Sequence, residues 1–101
     1  MSDKYSAYKL VLEELVLILR EYNEENWFTY FSKSLELLEN NKPQASISHS
    51  LRAYGGMCSF SDELYFTGAP PVEAQRGYEL RELLWQQCKD SENFLKRIFE
   101  L

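Results

Sequence analysis

An apolar stripe near the start of the chain constrains its fold more than any other feature of the sequence. From residue 4 to 22, large apolar side chains recur at alternating spacings of three and four: Tyr5, Tyr8, Leu12, Leu15, Leu19 and Tyr22. This spacing places them on one face of an α-helix. Further apolar residues flank that face or lie almost behind it: Val11, Val16, Ile18, Leu10 and Leu17. We therefore predict a central helix that is contacted on several sides, with Leu15 and Leu19 in the core.

A second helix is predicted between Asn23 and Asn41. Asn23 is a residue type that caps helices, and acidic residues follow it in the first turn, where they favour the helix dipole. The predicted buried face consists of four residues: Phe28, Phe31, Leu35 and Leu38. Because the connection to the first helix is short, the two helices should pack as an antiparallel hairpin.

A third, shorter helix is predicted from Pro43 to about Gly55. Proline suits the first position of a helix and glycine suits the residue that ends one. Ile47, Leu51 and Tyr54 give this segment an apolar face. Serine at residues 46, 48 and 50 lowers the helix propensity, so an irregular segment is the alternative.

The stretch from Gly55 to Pro71 has no helical period and is too apolar for an ordinary solvated loop. Pro70 and Pro71 then begin a long helix, with Leu80, Leu83, Leu84 and Cys88 facing inward together with Tyr78 or Trp85. The pattern leaves open whether residues 72–100 form one helix or two. The sequence as a whole predicts a mainly all-α fold: one domain over residues 1–101, a small bundle of four to five helices with one irregular insert at about 55–70.

Composition and charge narrow the classes of function. The formal charge is −5 and the isoelectric point is near 4.9, so attraction to nucleic acid or to anionic lipid is disfavoured and a basic partner is favoured. We expect neither nucleic-acid nor membrane binding. No export signal or membrane-spanning stretch is evident, so we expect a cytoplasmic protein in which Cys58 and Cys88 are free thiols.

The chain offers few groups for catalysis or for metal binding. His49 is the single histidine, and Ser48, Ser50 and Asp62 lie near it in sequence, but the strained nucleophile turn of a hydrolytic triad is missing. One histidine and two cysteines thirty residues apart do not make a metal-ligand set. Gly55 and Gly56 lack the remaining residues of a phosphate-binding loop. We therefore expect no enzyme activity, no cofactor and no metal.

The segment from Arg52 to Asp62, with the sequence RAYGGMCSFSD, resembles one in a family of small uncharacterised bacterial proteins. In that family a helix ends in Gly-Gly-Met-Gly-Ser, followed by an apolar residue, a small polar residue and Asp. The resemblance covers residues 10 to 90 loosely and this segment closely, and Cys58 stands where the family has glycine. Some small acidic proteins of this kind are immunity partners of toxins, so the resemblance implies a binding role without assigning a task to any residue.

These observations favour a protein-binding module, in particular an immunity or antitoxin-like inhibitor of a basic toxin enzyme. The predicted contact residues lie in the insert, where aromatic area and negative charge combine: Phe60, Asp62, Glu63, Tyr65 and Phe66. For Phe60 and Phe66 the alternative is packing in the core. The alternative for the whole protein is a homo-oligomer, a dimer for example, in which the apolar surplus of the first helix is buried against another copy.

Overall fold

The computed structural model describes residues 5–54, 66 and 68–99, the last nine by backbone only. Four α-helices are present: α1 (Ser6–Glu21), α2 (Glu25–Glu39), α3 (Pro43–Leu51) and α4 (Pro71–Phe99). A 3₁₀ turn, Arg52–Tyr54, extends α3. No strand occurs among these residues, which confirms the all-α prediction, and residues 71–99 form one helix and not two.

The first two helices end in the same way. Asn23 after α1 and Asn41 after α2 adopt left-handed backbone angles, with φ of 58° and 61°. In both turns the next residue donates its N–H five residues back, from Glu24 to the carbonyl of Leu19 and from Lys42 to that of Leu37. This is the Schellman arrangement, and asparagine tolerates its left-handed position better than most residues. Asn23 therefore ends α1 and does not cap α2, which corrects the prediction for this residue.

The core forms where the apolar stripe of α1 meets the other helices. Tyr8, Leu12, Leu15 and Leu19 are at most 1% exposed, as the spacing predicts. α1 packs against both α2 and α4, and α3 packs against α2 and α4 to close the bundle. The contact of α1 on more than one side agrees with the prediction, although Leu10 and Leu17 are mostly exposed.

The other helices each bury one stripe. α2 buries Phe31 and Leu38 and half-buries Phe28 and Leu35. The stripe of α4 is Leu80, Leu84 and Cys88, spaced four residues apart. Leu83 and Trp85 were also expected on or beside the inner face of α4, but they are 37% and 39% exposed. The prediction of Leu83 as a core residue is wrong because Leu83 lies about 100° from Leu84 around the helix.

Candidate functional site

The segment of residues 55–65 contains four of the five predicted contact residues, and the chain on either side of it is fixed to the bundle. Before the segment, the Tyr54 hydroxyl donates a hydrogen bond of 2.6 Å to the carbonyl of Arg81 on α4, and burial raises the pKa of this phenol. After the segment, the N–H of Phe66 donates to the Glu24 carboxylate at 3.0 Å. These two hydrogen bonds fix the chain where it leaves the 3₁₀ turn after α3 and where it approaches α4.

Phe66 is held by a close fit to Gly77 on α4. The ring is 2% exposed and makes edge contacts with Tyr22 and Tyr78, at centroid distances of 6.3 and 5.4 Å. A Cβ at residue 77 would lie 2.3 Å from two atoms of the Phe66 ring. Only glycine leaves room for the ring at this distance, so Gly77 provides the space into which Phe66 packs.

Of the five predicted contact residues, Phe66 takes the core role that the sequence offered as its alternative. Phe60, Asp62, Glu63 and Tyr65 lie outside the described residues, as does Cys58. The described residues on either side, Tyr54 and Phe66, are held close together, because their partners Arg81 and Gly77 are one helical turn apart on α4. Both ends of the segment are thus anchored at one short stretch of this helix.

A shallow groove of about 420 Å³ lies on the same stretch of α4. Six residues line it: Gln75, Tyr78, Glu79, Arg81, Glu82 and Leu83. The Arg81 guanidinium lies over the Tyr78 ring at 5.1 Å from its centroid. Glu79 is paired with Arg76 at 3.4 Å and Glu82 with Arg81 at 3.6 Å. The groove therefore combines two paired carboxylates with a partly exposed leucine, beside the points on α4 that hold Tyr54 and Phe66.

The alternative contact surface is an acidic edge formed by Glu13, Glu14, Glu21, Glu24 and Glu25, and two of these carboxylates are already bonded. Arg76 donates two hydrogen bonds to Glu14, from Nε at 2.7 Å and from a terminal nitrogen at 2.9 Å. These bonds hold the pKa of Glu14 below its usual value. Glu24 is bonded to Phe66, so the exposed carboxylates of this edge other than the paired Glu14 are Glu13, Glu21 and Glu25.

The serine-rich third helix is held by a buried chain of hydroxyl groups. The Tyr8 hydroxyl contacts the hydroxyls of Ser46 at 2.7 Å and Ser50 at 2.9 Å. Ser46 donates to the backbone carbonyl of Ser34 at 2.6 Å. Because that carbonyl can only accept, Ser46 uses its proton there and accepts from Tyr8, which in turn accepts from Ser50. Burial of this phenol raises the pKa of Tyr8 to about 12, so it remains protonated.

His49 belongs to the same interface between α2 and α3. Its ring stacks on Tyr30 with centroids 4.0 Å apart, its Nδ1 lies 2.8 Å from the Ser34 hydroxyl, and its carbonyl accepts from the Tyr30 hydroxyl at 2.6 Å. Desolvation, followed by the charges of Arg52 and Lys33, lowers the pKa of His49. His49 is half-buried, and the sequence did not indicate its partners Tyr30 and Ser34, which lie on α2.

The contacts of His49 hold α2 and α3 together and do not place an accessible nucleophile beside its imidazole. The hydroxyl that reaches the imidazole belongs to Ser34, which is fully buried, whereas Ser50 is bonded to Tyr8. Cys88 is buried on α4 and forms no disulfide with another described residue. Within the part of the chain that the structure describes, no three His, Cys, Asp or Glu side chains are grouped so that they could hold a metal ion.

None of the helices in the described ranges is long and apolar enough to cross a membrane.

Comparison with known proteins identifies a family. Neither the curated proteins nor the solved structures compared with the chain include one that matches it. Residues 20–73, however, match a family described as a domain of unknown function (DUF6966). The matched region runs from the last turn of α1 to the first turn of α4 and includes Glu24, the α2–α3 interface and Phe66. Since the match covers more than half of its residues, the chain belongs to the DUF6966 family.

Proposed function

We propose that the protein is a non-catalytic protein-binding module, an immunity-type inhibitor that covers the active site of a basic toxin enzyme. The observation that carries the proposal is the anchoring of the segment between Tyr54 and Phe66 at one stretch of α4. Loops held by a rigid scaffold carry a large share of protein recognition. Here the scaffold is the four-helix bundle, and the anchors lie beside the acidic groove of α4.

Charge supports a basic partner. The protein has a formal charge of −5, and Glu79 and Glu82, each paired with an arginine, line the groove beside the anchor points on α4. Asp62 and Glu63 add two carboxylates within the segment itself. An acidic surface of this kind accelerates encounter with a basic protein and competes for the site at which a nuclease binds phosphate.

The test uses a basic protein encoded beside the gene, purified and mixed with the inhibitor in a stopped-flow or surface-binding measurement. Asp62→Ala combined with Glu63→Ala should slow association about 10-fold at low salt, because peripheral charges act mainly on the rate of association. The melting temperature should stay nearly unchanged. Glu36→Ala combined with Glu39→Ala, which removes two exposed carboxylates of α2 that do not line the groove, is the matched control and should leave the rate unchanged.

Two outcomes would count against this proposal. Absence of any complex with that basic protein would contradict the inhibitor role. A complex that forms at the wild-type rate with the double variant at low salt would place the contact elsewhere, on the exposed carboxylates Glu13, Glu21 and Glu25.

A further inference from the structure

The most exposed large apolar side chains lie on two helices that pack side by side. Leu10 and Leu17 on α1 are 67% and 63% exposed, and Val72 on α4 is 78% exposed. Within the described residues no other large apolar side chain is more than half exposed. Leu10 and Leu17 are seven residues apart, and both face away from the buried stripe of α1. Single exposed leucines need no explanation, but three such residues on adjoining helices indicate a contact surface.

The ion pair between Glu14 and Arg76 shows how these residues are arranged. α1 and α4 run antiparallel, because Arg76 contacts Glu14 while Cys88 is close enough to Tyr8 to raise its pKa. Leu17 follows Glu14 by three residues and Val72 precedes Arg76 by four. Because the two helices are antiparallel, Leu17 and Val72 both lie on the same side of the ion pair along the helix axes. Leu10 and Leu83 are displaced in the other direction. We call this surface the α1–α4 face, defined by Leu10, Glu14, Leu17, Val72, Arg76 and Leu83.

The pattern of the α1–α4 face is complementary to itself. We propose that this face binds a second copy of the chain, with a twofold axis that runs between α1 and α4 and parallel to both. Such an axis places Leu17 over the partner's Val72 and Leu10 over the partner's Leu83. It also places Glu14 over the partner's Arg76, and the reverse. Apolar groups then meet apolar groups at both ends, and opposite charges meet in the middle, as an isologous interface requires.

Charge and size favour a second copy over the basic partner considered above. At the centre of the face Arg76 is paired with Glu14 at 2.7 Å and with Glu79 at 3.4 Å, so both carboxylates already have a cationic partner and offer less attraction to a basic surface. The 16 residues of α1 span about 24 Å, and two helices side by side are about 20 Å wide. The face therefore projects about 500 Å², whereas a standard interface buries about 800 Å² per partner, so we infer a dimer that dissociates in the micromolar range.

The test is sedimentation velocity, or chromatography with light scattering, on the full chain between about 1 and 200 µM. Wild type should change from monomer to dimer over this range. Leu17→Glu and Val72→Lys should each raise the dissociation constant at least about 10-fold, because each places a charge against an apolar side chain of the partner. An equimolar mixture of the two variants should form a heterodimer, because the introduced carboxylate of one copy then faces the introduced ammonium of the other.

Gln44→Glu, which adds the same charge at an exposed position of α3, is the matched control and should dimerise like wild type. Circular dichroism checks that each variant is folded. If Leu17→Glu is unfolded, Val72→Lys alone provides the test. Monomer at the highest concentration would overturn the proposal, as would a dimer that both substitutions leave intact. Salt separates this interface from the inhibitor contact. Added salt should change the dimer little, because it screens both the central Glu14–Arg76 attraction and the repulsion between two acidic chains, whereas it should clearly weaken a complex with a basic protein.

Discussion

At the scale of single residues, Gly77 shows how the structure reverses an expectation based on propensity. Glycine inside a helix is less favourable than alanine by about 1 kcal/mol. At residue 77, however, a Cβ would meet the Phe66 ring at 2.3 Å. Steric overlap in a packed site typically costs about 1 to 3 kcal/mol, so the packing of Phe66 outweighs the propensity of the helix.

We therefore predict that Gly77→Ala destabilises the protein by up to about 2 kcal/mol in urea unfolding, although Gly77 lies in a helix. The control is the same change in a Phe66→Ala background, where the ring is gone and Gly77→Ala should stabilise by up to about 1 kcal/mol. Stabilisation of the otherwise wild-type protein would show that the Phe66 ring moves away at little cost.

Residues also show which parts of the structure a sequence predicts. Leu12, Leu15 and Leu19 could be assigned to the core because α1 repeats its apolar residues with helical spacing. Adjacent Leu83 and Leu84 could not be distinguished in this way, since both are apolar and only packing selects Leu84. The packing site of Phe66 was not predictable either, because only the three-dimensional structure shows that its ring lies against Gly77.

At the scale of elements, α3 depends on hydroxyl groups for its attachment. Its apolar contribution to the core is small, with Ile47 the one large apolar residue of α3 that is buried. Ser46 and Ser50, which the sequence suggested would weaken the helix, are fully buried and bonded to Tyr8. The local pattern did not indicate this role because the hydroxyl that pairs with them lies on α1, 38 and 42 residues away.

Tyr8→Phe should therefore destabilise the protein by about 1 to 3 kcal/mol, because Ser50 loses its acceptor and Ser46 loses its donor inside the core. Urea unfolding measures the loss. Tyr22→Phe is the matched control, since the contact described for Tyr22 is made by its ring and not by its hydroxyl, and it should cost much less. Equal small losses in the two variants would mean that water replaces the missing hydroxyl of Tyr8.

At the scale of the whole molecule, His49 gives the free energy of unfolding a dependence on pH. The pKa of His49 is lowered from 6.5 in the folded state, first by desolvation and then by Arg52 and Lys33. The unfolded chain therefore binds the proton more readily, and stability falls as the pH falls from 6.5 through the folded pKa. Well above that window His49 is neutral in both the folded and the unfolded state, and its contribution to the free energy of unfolding is fully present.

We predict that the urea midpoint decreases between pH 7.5 and the lower end of this window, and that His49→Gln removes most of the decrease. Because His49 is the single histidine, few other side chains titrate in this range. A wild-type midpoint that is constant from pH 7.5 to about 5.5 would contradict the assigned environment of the imidazole.

The packing of α4 against α1 also determines when the protein can complete its fold during synthesis. Glu14 and Arg76 are 62 residues apart, and joining ends separated by that length costs about 4 kcal/mol of chain entropy. α1, α2 and α3 are consecutive in the chain, whereas the α4 side of α1 is covered only after residues 76–88 have left the ribosome. Until then Val11, Ile18 and Tyr22, which pack against the core, lack that cover, so the nascent chain is most exposed to chaperones and proteases just before its last helix emerges.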